Sequence, residues 1–505
     1  MLLRSSGLTR AGDRDSYRSV SYQQTDTLLQ FPLHWAAFLK SGTLEPSMPI
    51  QSINPANEIL IGEYQPHTEE QIQTILEQSM QAFLGLRRKG AAPQPEILES
   101  VGKLAEILEQ HSRSYGELIT AEMGKPINQA VAEVEKCAVL CRFYAENSAD
   151  MLGSRIIPTE SKDSFVRYDP LGPILAIMPW NFPFWQVFRA AVPAICAGNS
   201  VLLKHASNVT GCSLKVAEIF REAGFPDHLF QTLVVSGSKM EQIIAHPDVR
   251  GVTLTGSEAA GRAVAALAGQ NLKKCVLELG GSDPFIVLKD ANIDKAAAAA
   301  AQARCINSGQ SCIAAKRFIV EKSVSDAFLE AFRGELSKLR MGDPTNEETD
   351  VGPLARKDLK DDLHEQLQRS LQEGARLLLG GEPGRGPGFY YPVTLIQSDS
   401  IYNHALQEET FGPLAAVIVA EDENTAVELA NQSRFGLGGS LWTSDLEKGA
   451  SLARLVETGS ITINDLLRSD VRMPFGGIKD SGFGREMSRE GLLEFVNQKS
   501  VRINP

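Results

Sequence analysis

Cys312 sits in a small, polar, glycine-containing loop, Asn307-Ser308-Gly309-Gln310-Ser311-Cys312. Glu278 lies upstream in an apolar run, Leu277-Glu278-Leu279-Gly280-Gly281, and Asn181 earlier still, in Pro179-Trp180-Asn181-Phe182-Pro183. A thiol, a carboxylate in apolar surroundings and an amide donor are what oxidation of an aldehyde to an acid requires. The thiolate attacks the carbonyl, the amide holds the oxyanion, and the carboxylate activates water. Each residue also has a plainer reading: a buried structural cysteine, an ion-paired glutamate, and a turn asparagine before Phe182-Pro183.

Such groups need elements to position them. Residues 96 to 148 carry a helical pattern, with Leu104, Ile107 and Leu108 on one face. The pattern then switches. Ile174–Met178, Val201–Lys204, Phe230–Val235, Val252–Thr255 and Cys275–Leu279 read as apolar strands, with helices through Val192–Ala197 and around Ser213–Glu222. Strands alternating with helices imply a doubly wound parallel sheet, whose ligands sit at the carboxyl ends of the strands. Pro179–Asn181, Lys204–Ser207 and Gly256-Ser257 fall at such ends. A second alternating region runs from Phe285 to about Asn464, with an alanine-rich helix at Ala296–Ala301 leading to the Cys312 loop. The glycine cluster at 380–388 precedes no apolar helix and reads as a surface turn.

At 505 residues the chain has room for two or three domains. Its net charge of −12 argues against nucleic acid or an anionic membrane surface as partners. No apolar run approaches the roughly 20 residues of a membrane helix. The seven cysteines are scattered and odd in number, so no disulfide framework or metal site is expected, and a reducing, cytoplasmic setting follows. Cys137 and Cys141, one helical turn apart, read as core thiols. Arg4, Arg10, Arg14 and Arg18 alternate with serines, as in a transit peptide; a disordered tail or an early translation start explains them as well.

From about Ile53 to the C-terminus the chain resembles the aldehyde dehydrogenase superfamily. The likeness rests on the Pro179, Glu278 and Cys312 blocks above and on Thr255-Gly256-Ser257, Glu408-Glu409-Thr410-Phe411-Gly412-Pro413 and Pro474-Phe475-Gly476-Gly477-Ile478-Lys479 with Ser481-Gly482-Phe483-Gly484-Arg485-Glu486. Each block is weak alone; their joint order is specific. The resemblance implies an α/β protein with doubly wound parallel sheets in two domains and an oligomerisation arm. The cofactor-binding domain would take 48–151 and 171–278, and the catalytic domain 279–470. The arm, 152–170 with 490–505, would pair with a neighbouring subunit of a homodimer or homotetramer. Residues 1–47 would be a disordered extension.

The resemblance also assigns roles. Cys312 would be the nucleophile, Glu278 the base for thioester hydrolysis and Asn181 the oxyanion donor. Relatives that pass the acyl group to coenzyme A generally lack this glutamate. Trp180, Asn181, Lys204, Ser207, Gly256, Ser257, Leu279, Glu409 and Phe411 would hold NADP or NAD. NAD-preferring relatives often carry a glutamate where Ser207 stands. A carboxylate there repels a 2′-phosphate, whereas Ser207 can donate to it and Lys204 neutralise it, so NADP is the favoured cofactor. Arg189, with Ser311 and Ser469, stands where succinate-semialdehyde dehydrogenases grip the distal carboxylate. The alternative for Arg189 is a salt bridge. Ala190 departs from the lysine many relatives carry there. Cys305 would lie two helical turns from the active loop. Oxidation of another aldehyde, or a catalytically silent cofactor-binding protein, are the rival functions.

Overall fold

The strand Ile174–Met178 is apolar throughout and nearly all buried. Such unbroken apolar runs suit a parallel sheet covered on both faces. In the computed structural model, which describes residues 48–384 and 386–505, this strand is central to a six-stranded sheet. The expectations for residues 1–47 lie outside the described residues. The sheet order is Gly482–Phe483, Lys274–Glu278, Gly251–Thr255, Ile174–Met178, Val201–His205, Phe230–Thr232. All pairs are parallel except that made by Gly482–Phe483. From Ile174–Met178 the chain steps outward through the helices Trp185–Cys196 and Thr210–Glu222. It then crosses back to Gly251–Thr255 on the opposite side. This reversal opens a crevice at the carboxyl ends of Ile174–Met178 and Gly251–Thr255.

Two readings of the elements are corrected. The helical region is three helices: Pro95–Gln110, Ser112–Met123 and Ile127–Met151. Gly124 ends the second in a left-handed conformation, and Pro126 denies the next turn an N–H. The strand expected at Phe230–Val235 stops at Thr232. Beyond it Val234 exchanges hydrogen bonds with His67 instead of a strand neighbour.

A second sheet has seven strands in the order Arg376–Leu379, Thr394–Gln397, Leu414–Ala420, Ala315–Glu321, Asp283–Val287, Ser440–Trp442, Thr462–Ile463. Only Arg376–Leu379 is antiparallel. The helix Ile293–Cys305, capped by Asn292 accepting from the Lys295 N–H, joins its two middle strands. The architecture is the doubly wound α/β expected. A separate three-stranded sheet forms where the arm was expected: Asp163–Pro170 pairs within the chain with Arg155–Ile156 on one side and Val496–Ile503 on the other. Cys137 and Cys141 are fully buried on the helix Ile127–Met151.

The connection between the two sheets sets the site. Glu278 ends a strand of the first sheet, and after Leu279–Ser282 the chain enters the second at Asp283. Gly482 pairs with Glu278 and Phe483 with Leu277, so a late segment closes over the end of this strand. Gly482 has φ +108°, and a Cβ there would collide with the Leu277 carbonyl oxygen. Gly482→Ala should therefore cost about 1–3 kcal/mol and dislodge the cover over Glu278. Denaturant unfolding checks this; an unchanged midpoint and slope would refute it.

Candidate active site

The helix Ile293–Cys305 stops at Cys305, and the chain turns left-handed for three residues. Asn307 has φ 53° and ψ 40°, Ser308 φ 55° and ψ 30°, and Gly309 φ 78°. Asparagine and glycine tolerate this region; serine is strained there. Buried hydrogen bonds hold the turn. Arg304 Nη2 donates to the Gly309 carbonyl at 2.7 Å. Asn307 Nδ2 donates to the carbonyls of Asn181 at 2.8 Å and Gln310 at 3.0 Å. Lys316 Nζ donates to the carbonyls of Ser311 at 3.0 Å and Cys312 at 2.8 Å. Gly309 packs so closely on the Gly412-Pro413 backbone that a Cβ would not fit. Cys305 is not on a helix continuous with Cys312, as the helical-turn reading supposed, yet both line one cavity.

Burial pushes the Cys312 thiol up to about 12, against the pull of the Arg189 and Lys316 cations. The resting group is therefore a thiol. Asn181 Nδ2 donates to the Gln310 carbonyl at 3.1 Å, and its Oδ1 accepts from Gln186 Nε2 at 3.2 Å. The amide is thus oriented, with a second N–H left for an oxyanion. The backbone N–H of Cys312 donates to no described residue and offers a second donor.

Asn181 is anchored by residues the sequence reading missed. Lys125 and Glu133 form an ion pair, both almost wholly buried. Lys125 Nζ also donates to the Asn181 carbonyl at 2.9 Å. Glu133 Oε1 accepts from the N–H groups of Phe184 at 2.9 Å and Trp185 at 3.0 Å, capping the helix Trp185–Cys196. A carboxylate at a helix N-terminus satisfies orphan donors and meets the positive end of the dipole.

Glu278 is 2 % exposed, and neither carboxylate oxygen has a hydrogen-bond partner. Burial, and then repulsion from Glu486, holds its pKa well above the usual carboxylate range, against Arg189 and Arg485. It does not line the cavity that holds Cys312. Its Oε1 lies beside Gly476, where a Cβ would come within 2.6 Å.

The cavity holds about 710 Å³, in the range of small-molecule sites. It brings Arg189, Ser311, Cys312 and Ser469 together, as expected. The Arg189 guanidinium is not free, however. It is buried, ion-paired with Glu486 and stacked 4.7 Å from the Phe475 ring centroid. The salt-bridge alternative and the cavity reading are both realised in one residue. Lys136, to which no role was assigned, lines the same cavity.

The cofactor candidates lie around the crevice of the first sheet. Ser257 Oγ caps the helix Glu258–Gln270 by accepting from the Ala260 N–H at 3.3 Å. The N–H groups of Ser257, Glu258 and Ala259 donate to no described residue, so this helix end can receive a phosphate. Leu279 packs so tightly under Gly261 that no Cβ fits between them. Lys204 lies at the carboxyl end of Val201–His205 and Ser207 just beyond it. Ser207 is exposed, and Lys204 makes no ion pair among the described residues. Trp180 and Phe411 meet edge to face, centroids 5.6 Å apart. Glu409 accepts from the Gly281 N–H at 3.0 Å and pairs with Lys316 at 3.3 Å.

This arrangement is matched in known proteins. Residues 43–501 match the model of the aldehyde dehydrogenase family. The chain belongs to the aldehyde dehydrogenase family. It is 46 % identical over 459 residues to the Escherichia coli protein named succinate semialdehyde dehydrogenase (NAD(P)+) Sad, covering 91 % of this chain and 99 % of that one. It is 43 % identical over 461 residues to a Mycobacterium ulcerans succinate-semialdehyde dehydrogenase (NADP(+)), covering 90 % and 100 %. A solved succinic semialdehyde dehydrogenase from Streptococcus pyogenes, in complex with NADP+, superimposes with TM-score 0.87 at 35 % identity, covering 90 % of this chain and all of that one.

Glu278 yields a pH prediction. Its folded pKa is raised above the ordinary 4.5. Between 4.5 and the raised value the folded chain holds a proton that the unfolded chain has lost, so this group's contribution to stability falls as pH rises. Glu278→Gln removes the titration. The unfolding free energy of the variant relative to the parent should therefore improve as pH rises above the ordinary 4.5. A constant difference across that window would mean the carboxyl is not held protonated.

Proposed function

We propose that the chain oxidises succinate semialdehyde to succinate, with NADP as the favoured hydride acceptor and NAD tolerated. The observation that carries the reading is a cavity in which the nucleophile Cys312 shares its walls with Arg189, Ser311 and Ser469. A cation and hydroxyl groups in the same cavity as a thiol suit an aldehyde with a distal carboxylate. The names of the relatives support it. So do Lys204 and Ser207, which place an ammonium and a hydroxyl, and no carboxylate, where a 2′-phosphate would lie. Trp180, Asn181, Leu279, Glu409, Phe411 and the helix end at Gly256-Ser257 complete the cofactor site. Cytoplasmic location and a homodimer or homotetramer joined through the arm belong to the same proposal, as does the division into domains at 278/279.

The chemistry follows from the side chains. Cys312 Sγ bonds to the aldehyde carbon as its proton leaves, with Arg189 and Lys316 favouring the charged sulfur. The new oxyanion is held by Asn181 Nδ2 and the Cys312 N–H. Nicotinamide, when bound, supplies the hydride acceptor. The thioester left on Cys312 is hydrolysed by a water that Glu278 deprotonates. For this the Glu278 side chain turns from Gly476 towards Cys312. Burial and Glu486 hold it protonated at rest, so it must give up that proton before it serves as the base. One water enters, and the acid, the reduced cofactor and one proton leave. The intact Cys312, Glu278 and Asn181 disfavour a silent cofactor-binding protein.

The test is a panel of carboxylated and plain aldehydes assayed with both cofactors, with Cys312→Ala as the control. Succinate semialdehyde with NADP should give the highest kcat/KM, and Cys312→Ala should abolish turnover while still binding cofactor. A best rate with an uncharged aldehyde would favour the rival substrate reading, and turnover by the variant would remove Cys312 from its role.

A separate prediction concerns Ser207. Two like charges about 4 Å apart cost roughly 4 kcal/mol at an effective dielectric near 20. Ser207→Glu should therefore lower kcat/KM for NADP strongly and spare or improve NAD. An unmoved cofactor ratio would place Ser207 away from the 2′ position.

A further inference from the structure

The walls of the cavity hold more positive charge than the residues assigned to the substrate account for. Lys136 reaches it from the helix Ile127–Met151. Its Nζ donates to Ser469 Oγ at 2.6 Å and lies 4.3 Å from the centroid of the Trp185 ring. Among the described residues no carboxylate lies within ion-pairing distance of it. The neighbouring acids are already engaged. Glu133, one turn away on the same helix, pairs with Lys125 through one oxygen and caps the Phe184–Trp185 N–H groups with the other. Asp470, next to Ser469, is held in a fork by Arg472 Nε at 2.9 Å and Nη2 at 2.6 Å. Glu335 and Asp350 also line the cavity; Glu335 pairs with Lys338, Asp350 accepts from the Arg340 N–H, and Glu486 nearby is bound to Arg189.

Lys125, Lys136, Arg189, Lys338 and Arg468 all line the cavity. Lys125, Arg189 and Lys338 have carboxylate partners and Arg468 is exposed, so among the described residues Lys136 is the largely buried cation without a counter-charge. A largely buried ammonium without one is costly unless a ligand supplies it. Burial, with Arg189 adding its repulsion, brings Lys136 down to about 8. The geometry explains how an anion would be received. One Lys136 N–H is given to Ser469, which leaves others for a ligand. Ser469, accepting from Lys136, keeps its own hydroxyl proton to donate. The Trp185 face holds the ammonium in place from the other side.

We propose that Lys136 is a specificity-determining residue. It supplies the unpaired charge for the substrate's distal carboxylate, with Ser469 as its hydrogen-bonding companion and Arg189, already half-neutralised by Glu486, as the second cation. This rests on the reading that the substrate is a carboxylated aldehyde. It makes Lys136, rather than Arg189 alone, the residue that separates succinate semialdehyde from an uncharged aldehyde of similar length.

Wild type, Lys136→Met and Lys136→Arg are compared with succinate semialdehyde and butanal, and succinate is measured as an inhibitor competing with the aldehyde. Methionine keeps the length and the contact with Trp185 while removing the charge. Lys136→Met should lose at least about 30-fold in kcat/KM for succinate semialdehyde, chiefly through KM, because truncating a buried charged hydrogen bond costs that much or more. Butanal should change less than about 3-fold, Lys136→Arg should recover part of the loss, and succinate should inhibit Lys136→Met more weakly. If wild type prefers succinate semialdehyde and Lys136→Met keeps both that preference and the succinate inhibition, Lys136 has no such role and the substrate reading survives. Equal losses on both aldehydes would make Lys136 structural and also overturn the proposal. Preference of the wild type for butanal would bring down the substrate reading and this inference together.

Discussion

The carbonyl oxygen of Asn181 is the point on which the site is registered. It accepts from Lys125 Nζ at 2.9 Å and from Asn307 Nδ2 at 2.8 Å. Lys125 stands just before the helix Ile127–Met151, whereas Asn307 belongs to the left-handed turn ahead of Cys312. One buried oxygen therefore ties the proposed oxyanion donor to the loop of the proposed nucleophile. The Lys125–Glu133 pair stiffens the arrangement, because Glu133 also caps the helix that carries Arg189. Losing one member of a buried pair leaves the other charge uncompensated, at about 3–5 kcal/mol. Here the damage would spread to the amide, the helix start and the thiol loop together.

Much of the rest is buried charge used to hold carbonyls. Arg304 and Lys316 are fully buried, and between them they grip the backbone oxygens of Gly309, Ser311 and Cys312. Arg317 does similar work lower in the sheet, with bonds to the carbonyls of Ser282 at 2.7 Å, Leu429 at 3.0 Å and Ala430 at 2.8 Å. A cation among carbonyl oxygens is partly solvated by them, so burial is tolerable. The strain at Asn307 and Ser308 is sustained by these bonds.

The sequence made the chemistry legible where residue type and local pattern coincide. Ile174–Met178 and Val201–His205 are apolar runs that only a doubly covered sheet accommodates, and Ser257 is an ordinary helix cap at a strand's end. Cys312 stood in a small, polar, glycine-containing loop. What stayed hidden depended on distant partners. Glu133 and Lys136 lie in Ala132-Glu133-Val134-Glu135-Lys136, which reads as a solvated helix face. Nothing local shows that Glu133 caps another helix or that Lys136 meets Ser469. Glu486 was seen in its motif, but its pairing with Arg189 joins residues far apart in the chain. The burial of Glu278 away from the cavity depended on Gly482–Phe483 returning to the first sheet, a pairing too short to leave a periodic signal. The break after Cys305 was hidden for a different reason. Three left-handed residues are a backbone choice, and only Asn307 and Gly309 hint at it.

The resting electrostatics explain how such a site avoids premature chemistry. Burial favours the neutral form of both the proposed nucleophile and the proposed base: the Cys312 thiol is pushed up to about 12, and the Glu278 carboxyl well above its usual range. The same cause acts on both, since burial penalises whichever form carries charge. A neutral thiol is a poor target for oxidation and a poor nucleophile. A neutral carboxyl cannot activate water. The cations Arg189, Lys316 and Lys136 are already in place around the cavity, so the groups that stabilise negative charge are organised before any forms. Charge then develops where it is compensated: on the substrate oxygen beside Asn181, and on sulfur beside Arg189 and Lys316. In the proposed mechanism Glu278 must lose its proton before it can take one from water, and any increase in its distance from Glu486 would favour that loss.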